Sequence, residues 1–140
     1  MTENNCVMPK RVDYVVLYVD DLSRSIAFYR DVVGLDFKFE ENGYAEFATE
    51  QTKFGLYEAA RLPTLIGREA GPPGPKVANV FLVDSADSAA ARLRSLGITI
   101  LAGPEDRAWG HRTVHVLDPD ENIVEFAEEI ERSSPRHGSA

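Results

Sequence analysis

The stretch 111–126, "HRTVHVLDPDENIVEF", decides how this chain folds. Apolar side chains alternate in "TVHVL" and again in "NIVEF", with the period of two that marks half-buried strands. Between them "DPDEN" gathers Asp, Pro and Asn, the residues that close turns. A five-residue turn over Asp118–Asn122 sets Leu117 opposite Ile123. His115 then stands opposite Glu125 on the same face of the hairpin. That leaves a carboxylate among the apolar residues of the second strand, as a candidate metal ligand, base or ligand-orienting group.

Outward from this hairpin the chain reads as two similar halves. "VDYVVLYVDDL" is a strand, and "SRSIAFYRDVVGL" a helix that Asp21 or Ser23 can cap and Gly34 can end. "DFKFEEN", "GYAEFAT" and "KFGLYEA" are three short strands. The second half repeats the order. "VANVFLVD" is a strand and "SADSAAARLRSLG" a helix, followed by strands in "ITILAGPEDRAWG", "HRTVHVLD" and "NIVEFAEE". Val19-Asp20 recurs as Val83-Asp84 at an offset of 64, and Gly34 as Gly97 at an offset of 63. Each half is therefore β-α-β-β-β. The expected organisation is a loose end at 1–10, one domain at 11–130 and a loose tail at 131–140. Within the domain, module one is 11–58, an irregular Gly/Pro-rich linker is 59–76, and module two is 77–130. So long a linker is a candidate lid or a plain connector.

Composition narrows the function. The chain has 140 residues, 44% of them hydrophobic and 27% charged, which suits one globular domain. No run approaches the roughly 18 apolar residues of a membrane span. A net charge of −8 argues against a nucleic-acid partner, and no membrane partner is expected. The opening "MTENNCVMPK" lacks the apolar core of a secretory signal. The lone Cys6 forms no intrachain disulfide and reads as a spectator thiol, so a reducing, cytoplasmic setting is expected.

Three segments, "VVLYVDDLSRSIAFYRDVVGLDF", "VFLVDSADSAAARLRSLG" and "WGHRTVHVLDPDENIVEF", resemble the vicinal oxygen chelate superfamily. That superfamily includes glyoxalase I, extradiol dioxygenases, fosfomycin resistance proteins and bleomycin-binding proteins. The third segment is the most specific. Its one departure is Glu121, where the family commonly has Gly. The resemblance implies an α+β fold in which two βαβββ modules form a curled eight-stranded mixed sheet around a cavity, with helices outside. It also implies a homodimer.

Metal-dependent members of the family carry ligands on the first and last strands of each module. The matching positions here are Tyr14, Gly55, Ala78 and Glu125. A lone carboxylate does not hold a divalent metal. The expectation is therefore no metal and no cofactor, although His115, Glu125 and Glu46 are a conceivable shifted site. The expected ligand-facing residues are Tyr14, Tyr18, Tyr44, Glu46, Tyr57, Trp109 and His111. They suit a small, partly aromatic, cationic or hydrogen-bond-donating compound held for sequestration or antibiotic resistance. Strand tyrosines and a partly buried strand histidine also arise from packing alone. Two enzyme readings stand beside sequestration. One is a glyoxalase-type lyase, isomerase or dioxygenase with a shifted metal. The other is a metal-free acid–base enzyme with Glu125 and His115 as its catalytic pair.

Overall fold

The computed structural model describes residues 10–74 and 76–131. Cys6 lies outside the described residues, as do both chain ends before residue 10 and beyond residue 131. The chain divides into two compact units, 1–70 and 71–140, each built on its own four-stranded sheet. The fold is α+β, as expected. In place of one curled eight-stranded sheet there are two mixed sheets, because the first strand of each module pairs with the fourth strand of the same module.

In the first unit the strands are β1 (Tyr14–Val19), β2 (Asp36–Glu41), β3 (Tyr44–Ala48) and β4 (Lys53–Glu58), in the order β1-β4-β3-β2. The β1–β4 pair is parallel and the others antiparallel. Helix α1 (Leu22–Ala27) runs on through a π-helical stretch, Phe28–Val33. The Asp21 carboxylate accepts a hydrogen bond from the Arg24 amide at 3.1 Å, which caps the helix start. At the other end Gly34 takes φ 92°, and its amide donates to the Tyr29 carbonyl. One side of the sheet meets this helix through Leu17, Val19, Phe47, Phe54 and Leu56, which pack with Ile26 and Tyr29. The rings of Tyr29, Phe47 and Phe54 lie 5.0–6.3 Å apart between centroids, at the tilted angles aromatic pairs prefer.

The linker departs from the irregular path expected of it. Ala59–Arg61 forms a 3₁₀ turn and Leu62–Ile66 a short helix, α2, which Gly67 ends. Pro63 does not prevent this, since it lies in the first turn, where a missing amide hydrogen costs nothing.

The second unit contains β5 (Ala78–Leu82), helix α3 (Ala86–Ser95), β6 (Ala102–Asp106), β7 (His111–Leu117) and β8 (Ile123–Glu129). Its order, β5-β8-β7-β6, repeats that of the first sheet. Ser85 caps α3 by accepting from the Ser88 amide, and Glu128 of β8 accepts from the Ala86 amide at 2.8 Å. Asp87 in the first turn of α3, with Arg92 and Arg94 in its last, complements the helix dipole. Val114, Val116, Val124 and Phe126 are buried, as are Ala90 and Leu93 of α3, which packs on β6, β7 and β8.

The hairpin turn closes as the alternation requires, with Leu117 opposite Ile123 and His115 opposite Glu125. Buried Asp118 holds it, its carboxylate accepting from the Asp120 and Asn122 amides at 2.9 and 2.8 Å. Glu121, standing where the family favours Gly, takes φ 66°, a left-handed conformation that strains a residue with a Cβ. Glu121→Gly is therefore expected to stabilise the protein by about 0.5–1 kcal/mol in urea titrations. An unchanged or lower midpoint would show that the turn carries no such strain.

Candidate functional site

Each sheet has a second face, turned away from its helix. On the first sheet the register sets Tyr44 opposite Tyr57 and Glu46 opposite Gly55, while parallel β1 lays Tyr14 beside Lys53 and Tyr18 beside Tyr57. Tyr14 and Tyr18 are 50% and 47% exposed, while their strand neighbours Leu17 and Val19 are buried. An apolar surface of this kind, left open to water, marks a binding face more often than a core. Tyr18 and Tyr57 meet edge to face at 6.3 Å, and Phe39 lies 5.9 Å from Tyr44.

Glu46 is the charged centre of this face and is only 5% exposed. The Lys38 ammonium donates to one of its oxygens at 2.7 Å, and the Tyr44 hydroxyl donates to the other at 2.8 Å. The hydrogen bond from Lys38 holds the Glu46 carboxyl below the usual glutamate range, against the opposing effect of burial. Tyr44 moves the other way. Burial, then its bond to Glu46, pushes its hydroxyl well above an ordinary tyrosine. Glu46 is thus held as the anion and Tyr44 as the neutral phenol, a pairing suited to holding geometry and unsuited to taking up a proton.

Lys38 reaches Glu46 because β2 slips its register between Phe37 and Phe39. Counted back from the Glu41–Tyr44 pair without that slip, Lys38 would stand against buried Phe47 on the other face, and sequence reading did not single it out. Lys53 was missed too, although it shares the parity of Gly55 and Tyr57. Its ammonium sits 4.9 Å from the centre of the Tyr14 ring, within cation–π range. Gly55 has a function of its own. A Cβ there would lie 2.5 Å from the Tyr44 hydroxyl, so only glycine lets that phenol lie across β4.

On the second sheet His115 Nε2 and Glu125 Oε1 form a hydrogen bond of 3.0 Å. Both side chains are mostly buried, and the buried His115 Nδ1 has no protein partner. His111 begins β7 opposite Glu129, half-buried on the same side of the strand as His115. Trp109 is 42% exposed in the turn before β7, beside buried Gly110. Arg107 donates to Thr113 at 2.9 Å on this face. The sequence-predicted residues therefore fall into two sets. Tyr14, Tyr18, Tyr44, Glu46 and Tyr57 share the face of the first sheet, while His111, His115, Glu125 and Trp109 belong to the second unit.

A family model, the Glyoxalase/Bleomycin resistance protein/Dioxygenase superfamily, matches residues 11–126. The chain belongs to this superfamily. It is 32% identical over 117 residues to the uncharacterized YraH protein of Bacillus subtilis, a match covering 79% of this chain and 91% of that one. It is 28% identical over 127 residues to a bleomycin resistance protein of Geobacillus stearothermophilus, covering 81% and 93%. Among solved structures, a glyoxalase/bleomycin resistance protein/dioxygenase from Nocardioides superposes with a TM-score of 0.77 at 25% identity, covering 96% of this chain and 94% of that one.

Membership raises the question of a metal. Of the four positions that the resemblance matches to metal ligands, Gly55 and Ala78 offer no donor atom, Tyr14 offers a phenol beside the Lys53 ammonium, and Glu125 is bonded to His115. These residues do not fit a divalent metal, which needs several carboxylate or imidazole groups converging on one point. Among the described residues, no three His, Cys, Asp or Glu side chains come together as such a group. Of the residues conceived as a shifted set, Glu46 is bonded to Lys38 and Tyr44 in the first unit, and His115 and Glu125 to each other in the second. Both carboxylates expected to meet a ligand, Glu46 and Glu125, are thus hydrogen-bonded within the protein.

Proposed function

We propose that this protein is a metal-independent binding protein of the glyoxalase/bleomycin-resistance superfamily. It holds a small, planar, partly aromatic compound by stacking and hydrogen bonding, as a homodimer that sequesters its ligand. One observation carries the reading. Three of the superfamily's four ligand positions carry Tyr14, Gly55 and Ala78, and the space above Gly55 is filled by the phenol of Tyr44. Half-exposed Tyr14 and Tyr18 supply stacking surface where a metal-dependent relative would coordinate. The kinship with bleomycin resistance proteins points the same way.

The test is calorimetric titration of the dimer with 2-naphthalenemethanol and with bleomycin, with and without EDTA. Saturable binding of either at one per chain, unchanged by EDTA and weakened in Tyr14→Ala, is the expected result. Binding that vanishes with EDTA, or no saturable binding of either probe, overturns the reading.

A second reading, the metal-free acid–base enzyme, is favoured by the His115–Glu125 hydrogen bond and the unpartnered His115 Nδ1. The buried imidazole orients the carboxylate, and Glu125 is the group that takes up the proton. On this reading a substrate that is turned over continues to be turned over in EDTA. Glu125→Gln then lowers kcat by about 100-fold or more while KM changes little. Equal kcat in the variant and the wild type would remove Glu125 from any catalytic role.

A further inference from the structure

We propose that the open face of the first sheet selects a planar aromatic anion, such as an arene carboxylate or a phenolate, with Lys38 and Lys53 supplying the donors. The inference rests on the small-aromatic binding reading above and names the charge of the ligand.

The groups already engaged on this face decide what it can still offer a ligand. Glu46, the obvious partner for a cation, has one oxygen on Lys38 and the other on Tyr44, and its side chain is only 6% exposed. A cationic ligand would have to displace an ammonium already 2.7 Å from that carboxylate. The cost would be a second charge left without its partner at the edge of the sheet. The phenolic hydrogen of Tyr44 is committed to the same carboxylate.

The unspent groups beside Glu46 and Tyr14 are donors. Lys38 gives one of its three N–H bonds to Glu46, and its side chain is 43% exposed. Lys53 lies over the Tyr14 ring with its side chain 40% exposed. Its acidic neighbour Asp13 is 3.4 Å away and is shared at 3.4 Å with Arg11. That exposed contact is weak and leaves the ammonium open to a stronger acceptor. Glu41, opposite Tyr44 in the register, is exposed at the sheet edge. A flat ring resting on the tyrosines would therefore direct an acceptor group at the two ammoniums. Hydrogen bonds from ammonium to carboxylate are among the stronger ones a protein makes.

The test compares three probes of one shape, 2-naphthoate, 2-naphthalenemethanol and 2-naphthylmethylammonium, by titration calorimetry on the full chain. The expected result is naphthoate binding about tenfold tighter than the ammonium compound. In Lys53→Met, naphthoate is expected to weaken about fivefold, bringing it close to the neutral alcohol. Lys53→Met carries the test because Lys38→Met strips a buried carboxylate of its partner and risks unfolding. Lys38→Arg, which keeps the charge, is expected to retain the preference for naphthoate.

Equal or tighter binding of the ammonium compound, or equal binding of alcohol and naphthoate, overturns the inference and leaves the aromatic reading standing. If none of the three binds, the aromatic reading falls and the inference falls with it.

Discussion

Phe47→Ala is expected to destabilise the first unit by about 3–5 kcal/mol, the usual cost of emptying a fully buried aromatic site. Phe47 has no exposed surface, and its ring contacts Tyr29, Phe37 and Phe54 at 5.8–6.3 Å. Truncation removes one ring's contacts and leaves three others facing a void. Those three are anchored on α1 and its π-helical extension, on β2 and on β4, so they cannot close in without moving the backbone. Scanning calorimetry reads the loss directly. A cost below about 1.5 kcal/mol would mean that the aromatic cluster is not the core of this unit.

The second large effect belongs to Glu46. Glu46→Ala removes the acceptor of both Lys38 and Tyr44 and is expected to lower stability by about 2–4 kcal/mol. The lower end applies if Lys38, which is partly exposed, swings into water. Glu46→Gln keeps an acceptor and should cost about half as much.

The pH dependence has a definite sign. Folding depresses the Glu46 pKa, so its contribution is present above the ordinary glutamate range and is lost as pH falls through the lower folded value. Folding raises the Tyr44 pKa, so its contribution is full below the ordinary tyrosine pKa of about 10 and is lost as pH rises through the folded value. Wild-type stability should therefore decline at both ends of the range. Glu46→Ala should remove the Glu46 share of the acid decline and only lessen the alkaline one, because burial is the larger cause of the Tyr44 shift. Parallel pH profiles for the two proteins would show that the network stores no such free energy.

Much of this architecture was legible in the residues. Alternation in "HRTVHVL" and "NIVEF", with a turn of fixed length between them, sets His115 on Glu125 because a period of two admits only one register. The same parity places Glu46 on Gly55 and Tyr44 on Tyr57. The partners of Glu46 were less legible. Lys38 arrives through a slip in β2 pairing, which depends on the neighbouring strand and leaves no mark on the alternation of "DFKFEEN". The helix at Leu62–Ile66 was hidden for a different reason. Pro63 and Gly67 looked like loop residues, yet a Pro in the first turn and a Gly just past the last are what a short helix uses to begin and end. That Tyr14, Gly55 and Ala78 stand at three of the positions matched to metal ligands was visible at once. That the Tyr44 phenol lies where a Gly55 side chain would go became visible only with the fold.

The central claim, a superfamily member that works without a metal, is tested most directly by native mass spectrometry of the purified chain before and after incubation with nickel, zinc, manganese and iron(II). The account predicts a dimer whose mass after desalting equals that of two chains, or two chains with a bound organic molecule, and does not change with any of the metals. A dimer retaining about one divalent ion per chain would contradict it.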